Sequence, residues 1–319
     1  MSLSHWEAYY RGGGIATCPT AADGTYDREL KQVWLDTLAD LPDGGVILDV
    51  ATGNGPLVLI AAEQAAALGR HWEIHGTDLA QIDPVAHVPD GKRRFTGCRF
   101  HPGVATEKLP FPDASFDVVC GQYALEYADP RAGLGEIARV LRAGCSARFI
   151  LHHASSLLVQ KARSSLQQSD LVLRETRLYR HLRRLVEQDN HSPRLDDPAT
   201  LALRTAIRQL RSEFEAVRAS GHGHVLGVTL DAVRELLSMR TRQSAGEVVR
   251  EVDRVERELR QSVHRLRDLL EHALDDQRMD ALLGEASRAG LAVTERAQQY
   301  YAGDNLVGWR IRLRKDGGS

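Results

Sequence analysis

The chain has 319 residues, 43% of them hydrophobic, which is enough for one large domain or two ordinary ones with a real core. Its 41 Lys and Arg stand against 43 Asp and Glu, so there is no overall basic field, and nucleic acid or an anionic membrane is disfavoured as a partner. The start MSLSHWEAYY lacks the pattern of a signal peptide, no apolar run approaches membrane-spanning length, and Cys18, Cys98, Cys120 and Cys145 have no metal-type spacing. The expectation is a cytoplasmic protein with reduced thiols and no metal.

Residues 1–45 are rich in large rings, with Trp6, Tyr9, Tyr10, Tyr26 and Trp34. Over Asp27–Leu41, Leu30, Val33, Trp34, Leu38 and Leu41 recur at helical spacing, which makes Trp34 a packing residue. The run Arg11-Gly12-Gly13-Gly14 reads as a hinge, so the segment before it is either a lid or a mobile N-terminus with one aromatic anchor.

The stretch Val46–Pro56, VILDVATGNGP, reads as strand, tight glycine turn and helix start. Glycines at 53 and 55 let the backbone turn sharply and lie against a ligand, and the following helix points free N–H groups at it. A dinucleotide fingerprint requires a third glycine, but that place holds Val58. Instead Asp49 closes the strand, giving D-x-A-x-G-x-G over Asp49, Ala51, Gly53 and Gly55. A carboxylate there would repel a pyrophosphate but could orient the turn or attract an ammonium group. The second strand, Glu73–Thr77, ends in Asp78, where an acid grips ribose hydroxyls.

Downstream, LPFPDASFDVV (Leu109–Val119) and EIARVLRAG (Glu136–Gly144) complete a pattern that resembles the class I S-adenosylmethionine (SAM) dependent methyltransferases. Ala51 replaces the usual first glycine of that family's motif I. The resemblance implies SAM as cofactor, held by Asp49, Ala51, Thr52, Gly53, Asn54, Gly55, Asp78, Leu79, Gly121, Gln122 and Tyr123, with Tyr10 and Tyr26 covering it from the N-terminal segment. The family's acid for the adenine amino group falls on Ala105 here, leaving Thr106 or Glu107 as substitutes. No Asn-Pro-Pro-Tyr type tetrapeptide follows the fourth strand, where Gly121-Gln122-Tyr123-Ala124 stands, so methylation of nucleobase or glutamine amino groups is disfavoured.

Strands are expected at 46–50, 73–77, 99–101, 117–121 and 147–152, alternating with helices as a parallel sheet requires. Ligands in such sheets sit beyond the carboxyl ends of the strands. Glu126 and Tyr127 after the fourth strand, and His152 and His153 after the fifth, are then the candidate acid–base residues. A strand-ending histidine is also often only a hydrogen-bonded structural residue.

Residues 155–285 break the alternation. Leu203, Ile207, Leu210, Phe214 and Val217, and the longer seam from Val248 to Leu270, mark amphipathic helices, with Asp197-Pro198 as a cap. The segment carries 22 Lys and Arg and 21 Asp and Glu. Arg174, Arg177, Arg180, Arg183 and Arg184 with His181 recur at 3 and 4 spacing, either as a solvated face or as an anion-binding patch. The pair His222 and His224 reads as a glycine-rich loop. Strand character returns over 291–295 and 306–313, with a turn over 298–305, as a closing antiparallel pair.

The expected organisation is an N-terminal helical lid (1–45), a SAM-binding core (46–154), a helical insertion (155–285) and closing strands (286–319). In fold class this is an α/β, Rossmann-like, seven-stranded and mostly parallel sheet, with the insertion between strands five and six. The expected function is methyl transfer from SAM to O, N or C of a small molecule. The alternatives are a SAM-binding scaffold and a methyltransferase acting on protein or RNA. The insertion is expected to cap the acceptor side, and its long seam either to support a homodimer or to be covered within one chain by the helices at 155–189 and 229–244, leaving a monomer with a four-helix lid.

Overall fold

The structure, a computed structural model, describes residues 3–18, 20–188, 197–221 and 223–317. In chain order the elements of the first part are α1 (Ser4–Arg11), α2 (Arg28–Leu38), β1 (Val46–Val50), α3 (Pro56–Leu68), β2 (Glu73–Asp78), α4 (Pro84–His87), α5 (Gly91–Arg94), β3 (Cys98–Pro102), β4 (Phe116–Gln122), α6 (Pro130–Val140) and β5 (Leu141–Leu151). There follow α7 (Leu157–Asp170), α8 (Leu178–Glu187), α9 (Pro198–Val217), α10 (His224–Met239), α11 (Ala245–His272), α12 (Asp276–Arg288), β6 (Leu291–Tyr301) and β7 (Asn305–Lys315).

The strands form one seven-stranded sheet in the order β3-β2-β1-β4-β5-β7-β6. The first five strands are parallel, and β7 enters antiparallel beside β5 with β6 outside it. Strand order reverses between β1 and β4, the position at which such sheets open a crevice at their carboxyl ends.

Alternation along each strand builds two apolar layers. Ile47, Ile74, Val118 and Ile150 face one side with Leu30 and Trp34 of α2 and Leu57 and Ile60 of α3. Leu48, Val50, Val119, Phe149 and Leu151 face the other, with Leu134 and Ile137 of α6 and Met279, Leu282 and Ala286 of α12. The shape of β1 follows from this: VILDV is apolar on both faces because both are covered, and only Asp49 departs from it.

Two compact units result, residues 1–159 with 272–319, and residues 160–271. The helical unit is therefore shorter at both ends than the expected segment 155–285. Helix α12 lies in the sheet unit because its apolar stripe packs on α6 and β6. The strands are longer than expected at the edge: Gln298–Tyr301 continue β6 instead of turning, since they pair with β7 as far as Tyr301 with Asn305.

Within the helical unit, α8, α9, α10 and the first half of α11 share one core of Leu178, Leu182, Leu203, Leu210, Leu226, Val233, Val248 and Val252. Val255 and Leu259 pack against the same cluster, so this part of the long seam is covered within the unit. Asp197 caps α9 by accepting the Thr200 N–H at 2.9 Å. The arginine run does not lie on one helix: a five-residue π-helical turn, Leu171–Glu175, ends α7, and Arg177 adopts φ 47° before α8 begins. His222 lies outside the described residues, and among the described residues there is no cluster able to hold a metal and no helix long and apolar enough to cross a membrane.

Candidate cofactor and active site

The glycine turn joins β1 to α3 through three left-handed residues, Ala51 (φ 49°), Gly53 (φ 55°) and Gly55 (φ 79°). A side chain at Gly53 would stand 2.8 Å from the ring of Tyr10, and one at Gly55 would stand 2.9 Å from Phe100. At both positions the absence of a Cβ is what lets the turn close. At Ala51 an ordinary L-residue holds the same conformation at a cost of about 1 kcal/mol.

Asp78 ends β2 and clamps this turn. Its Oδ2 accepts the Gly53 N–H at 2.8 Å, and its Oδ1 accepts the Ala80 N–H at 2.8 Å. Each carboxylate oxygen keeps a further lone pair, so hydroxyl donors can still be accepted. Asp49 accepts the Thr52 hydroxyl at 2.5 Å and is also buried. Burial, and then the Asp78 charge against the relief given by Thr52, pushes Asp49 up to about 8. Burial pushes Asp78 up to about 6 against its two backbone hydrogen bonds. Among the described residues these two acids have no basic side chain acting on them, an arrangement that a positively charged ligand would relieve.

Helix α1 lies over the turn. The Asn54 side-chain amide donates to Tyr10 O and Gly14 O, both at 2.8 Å, while its Oδ1 is buried without a partner. Tyr10 is itself buried and packs with Ala80 and Ile82 just beyond Asp78. Tyr26 sits deeper, in the apolar layer with Trp34 and Tyr123. Leu79 is exposed, an open apolar surface beside Asp78.

At the ends of β4 and β5 a second group assembles. Glu126 Oε1 accepts the His152 N–H at 2.7 Å, and His152 Nδ1 lies 3.6 Å from the same oxygen. Glu126 Oε2 and His152 Nδ1 are both buried without a hydrogen-bond partner. Burial raises Glu126 to about 7 and, with the charge of His272, lowers His152 to about 3. The imidazole is therefore neutral at pH 7 while the carboxyl titrates there. Aromatic rings wall the pair, with Tyr123 at 4.1 Å from the His152 ring and Tyr127 at 6.2 Å. Tyr127 also stacks on His272 at 4.8 Å. Tyr123 has φ 55°, and its hydroxyl donates to Val307 O, which fixes the ring.

Other candidates fall elsewhere. His153 points to the opposite face of the sheet, where it stacks on Trp309 at 4.5 Å and its Nδ1 accepts the Ser155 N–H, so the structure does not bring it to Glu126. One-residue alternation is the reason, since neighbours on a strand face opposite ways. Glu107 accepts the Asp129 N–H at 2.9 Å, just ahead of α6, and Thr106 is buried beside it. Gly121 lies within β4, where an added side chain would meet Val50 O at 3.1 Å. Gln122 is oriented by Trp34, whose Nε1 donates to it at 2.7 Å, leaving Gln122 Nε2 buried and unpartnered.

Trp34 is a positioning residue that helical spacing identified only as core. Thr77, with a buried unpartnered hydroxyl, and His272 had no signal in the sequence. The left-handed glycine cradle, the Asp78 clamp and the unpartnered atoms of Asn54, Thr77 and Gln122 all fit an adenosyl amino-acid cofactor, which brings hydroxyls, an ammonium and a sulfonium.

Residues 48–149 match the family model described as a methyltransferase domain. Over 120 residues the chain is 36% identical to a demethylmenaquinone methyltransferase of Beutenbergia cavernae, covering 37% of this chain and 45% of that protein. Over 100 residues it is 39% identical to the enzyme of the same name from Deinococcus radiodurans, covering 31% and 39%. The matched stretch thus spans less than half the length of these relatives. Among solved structures, a TehB-like SAM-dependent methyltransferase from Corynebacterium glutamicum aligns over 99% of this chain and all of its own, at 13% identity and a TM-score of 0.43. Residues 48–149 are therefore similar in sequence to a methyltransferase domain, the part of the chain that holds the β1 turn, Asp78 and Glu126.

Proposed function

We propose that the protein transfers a methyl group from SAM to a small-molecule acceptor. The observation that carries this reading is Asp78, whose carboxylate ties the end of β2 to the glycine turn and stays able to receive hydroxyls. The cofactor would supply an electrophilic methyl group on a sulfonium. Gly53, Gly55, Asp78, Asn54 and Gln122 would hold it, and Asp49 would face its positive charge.

The residues of this chain then have to align the acceptor and exclude water. Glu126, poised near neutrality, is the group suited to take a proton from an acceptor hydroxyl or acidic carbon. His152, neutral and fixed by Tyr123 and Tyr127, would hold the acceptor through its unpartnered Nδ1. The balanced charge of the chain supports a metabolite over a nucleic acid. The names of the relatives make a demethylated menaquinone the first acceptor to try.

Incubation with methyl-labelled SAM and either that quinone or a metabolite extract tests the reading, with label expected in a small product. Label found only in macromolecules would redirect the assignment to protein or RNA, and binding without any turnover would favour a scaffold. A homodimer through α11 is a separate proposal, supported by Leu266 and Leu270, which stay only half-buried. A monomeric mass in sedimentation at micromolar concentration would refute it.

A further inference from the structure

The helical unit contains a cavity of about 360 Å³ lined by Leu173, Arg174, Arg177, Tyr179, Arg180, Arg183, Glu256 and Arg260. That volume is in the range of small-molecule pockets, about 300–1,000 Å³. Five guanidiniums converge there against one carboxylate. Three of them are anchored: Arg183 by Asp253 at 2.6 Å and Glu256 at 2.9 Å, Arg260 by Glu256 at 2.5 Å, and Arg174 by Asp170 at 3.4 Å. Arg177 and Arg180 have no ion-pair partner among the described residues, although each of the other three cavity arginines has one.

Their convergence has a cost that the fold accepts. Arg177 is held at φ 47°, a left-handed conformation unusual for a long side chain, at the break between the π-helical turn and α8. The break brings Arg174, Arg177 and Arg180 to one cavity.

We propose that this cavity binds the diphosphate or phosphate group of a small organic molecule, gripped by Arg177 and Arg180 and flanked by the anchored Arg183 and Arg260. Guanidinium forks match phosphate oxygens two at a time, which an ammonium does not. Leu173 and Tyr179 give the organic part an apolar wall. Because Arg177 and Arg180 are exposed, the attraction is screened and binding weakens as salt rises. The assignment stands independently of the methyltransferase reading, since every residue in it belongs to the helical unit.

Calorimetric titration of inorganic pyrophosphate into the full chain, at low ionic strength, tests it. The expected result is saturable binding that falls roughly tenfold or more in an Arg177→Gln, Arg180→Gln variant and is unchanged in Arg184→Gln, which lies outside the cavity lining. If the double variant melts early, Arg180→Gln alone carries the test, with Arg180→Lys expected to recover part of the affinity. Absence of saturable heat, equal loss in Arg184→Gln, or equal binding of sulfate at matched ionic strength would overturn the proposal. So would tighter binding of an acidic peptide or an RNA oligomer with the same dependence on Arg177 and Arg180.

Discussion

The two units treat charge in opposite ways. The sheet unit buries Asp49, Asp78, Glu126, His75, His152 and His153, whereas among the described residues of the helical unit no acid, lysine, arginine or histidine is fully buried. There, charges pair along the surface, as in Arg254 with Glu251, Arg234 with Asp231 and Arg218 with Glu215. Such exposed pairs contribute little, about 0.2–1 kcal/mol each. Burying an ionisable group costs far more, and this unit does it six times, with a clearly shifted pKa at Asp49, Asp78, Glu126 and His152. The contrast supports placing the proposed reaction in the sheet unit.

The sharpest way to break that contrast is at the buried acids. Asp78→Ala leaves the Gly53 and Ala80 N–H groups unpaired, and we expect cofactor affinity to fall by on the order of a hundredfold, read by calorimetry. An unchanged affinity would mean that another acid holds the ribose. Glu126→Gln keeps the shape and can still accept the His152 N–H, so SAM binding should persist while kcat drops by about 10²–10⁴ and the rate loses its rise near pH 7. Equal loss of binding and rate would make Glu126 structural.

In the helical unit the corresponding test concerns packing. Val255→Glu with Leu259→Glu places two charges against the shared helical core, and we expect a loss of about 2–5 kcal/mol in denaturant unfolding. Dissociation of a dimer with no loss of stability would instead place the seam at an interface.

A smaller effect follows from Asp49. Its carboxyl, raised to about 8, is mostly protonated at pH 7, and a bound cation favours the ionised form. Cofactor binding should therefore release protons near neutrality, seen as a difference in heat between buffers of different ionisation enthalpy and abolished in Asp49→Asn. The linked stability has a definite sign. An acid whose folded pKa is raised holds a proton that the unfolded chain, near 3.9, has lost, so this contribution declines as pH rises from about 4 to about 8. His152 acts oppositely below about 6.5, because its lowered pKa makes the folded state the weaker proton binder. Above that pH the acids alone set the slope, and the free protein should lose stability toward pH 8. The smallest effect is at Ala51, where Ala51→Gly should raise stability by about 1 kcal/mol by relieving the left-handed conformation.

Legibility in the sequence divides along the same line. The run VILDVATGNGP was readable because strand, turn and helix are neighbours in the chain, and the elements it implied stand at 46–50 and 56–68. Asp78 was readable because it ends a strand. The grouping of Glu126 with His152, and the exclusion of His153, was not, because it depends on which face of β5 each side chain takes. The break at Arg177 escaped for a related reason: spacing of 3 and 4 cannot distinguish one helix from two joined by a π-helical turn. Helix α4 carries a local signal, since Asp83-Pro84 is a cap and a first-turn proline, whereas α5 begins without a side-chain cap. The extension of β6 to Tyr301 is decided by pairing with β7, which no local window contains.

The central claim is that the β1 turn and Asp78 form a SAM site. Calorimetric titration of the full chain with SAM and, separately, with NAD tests it most directly. The account predicts saturable SAM binding, lost in Asp78→Ala, and no binding of NAD, because Val58 stands where a dinucleotide turn needs its third glycine. Tight NAD binding with none for SAM would contradict it.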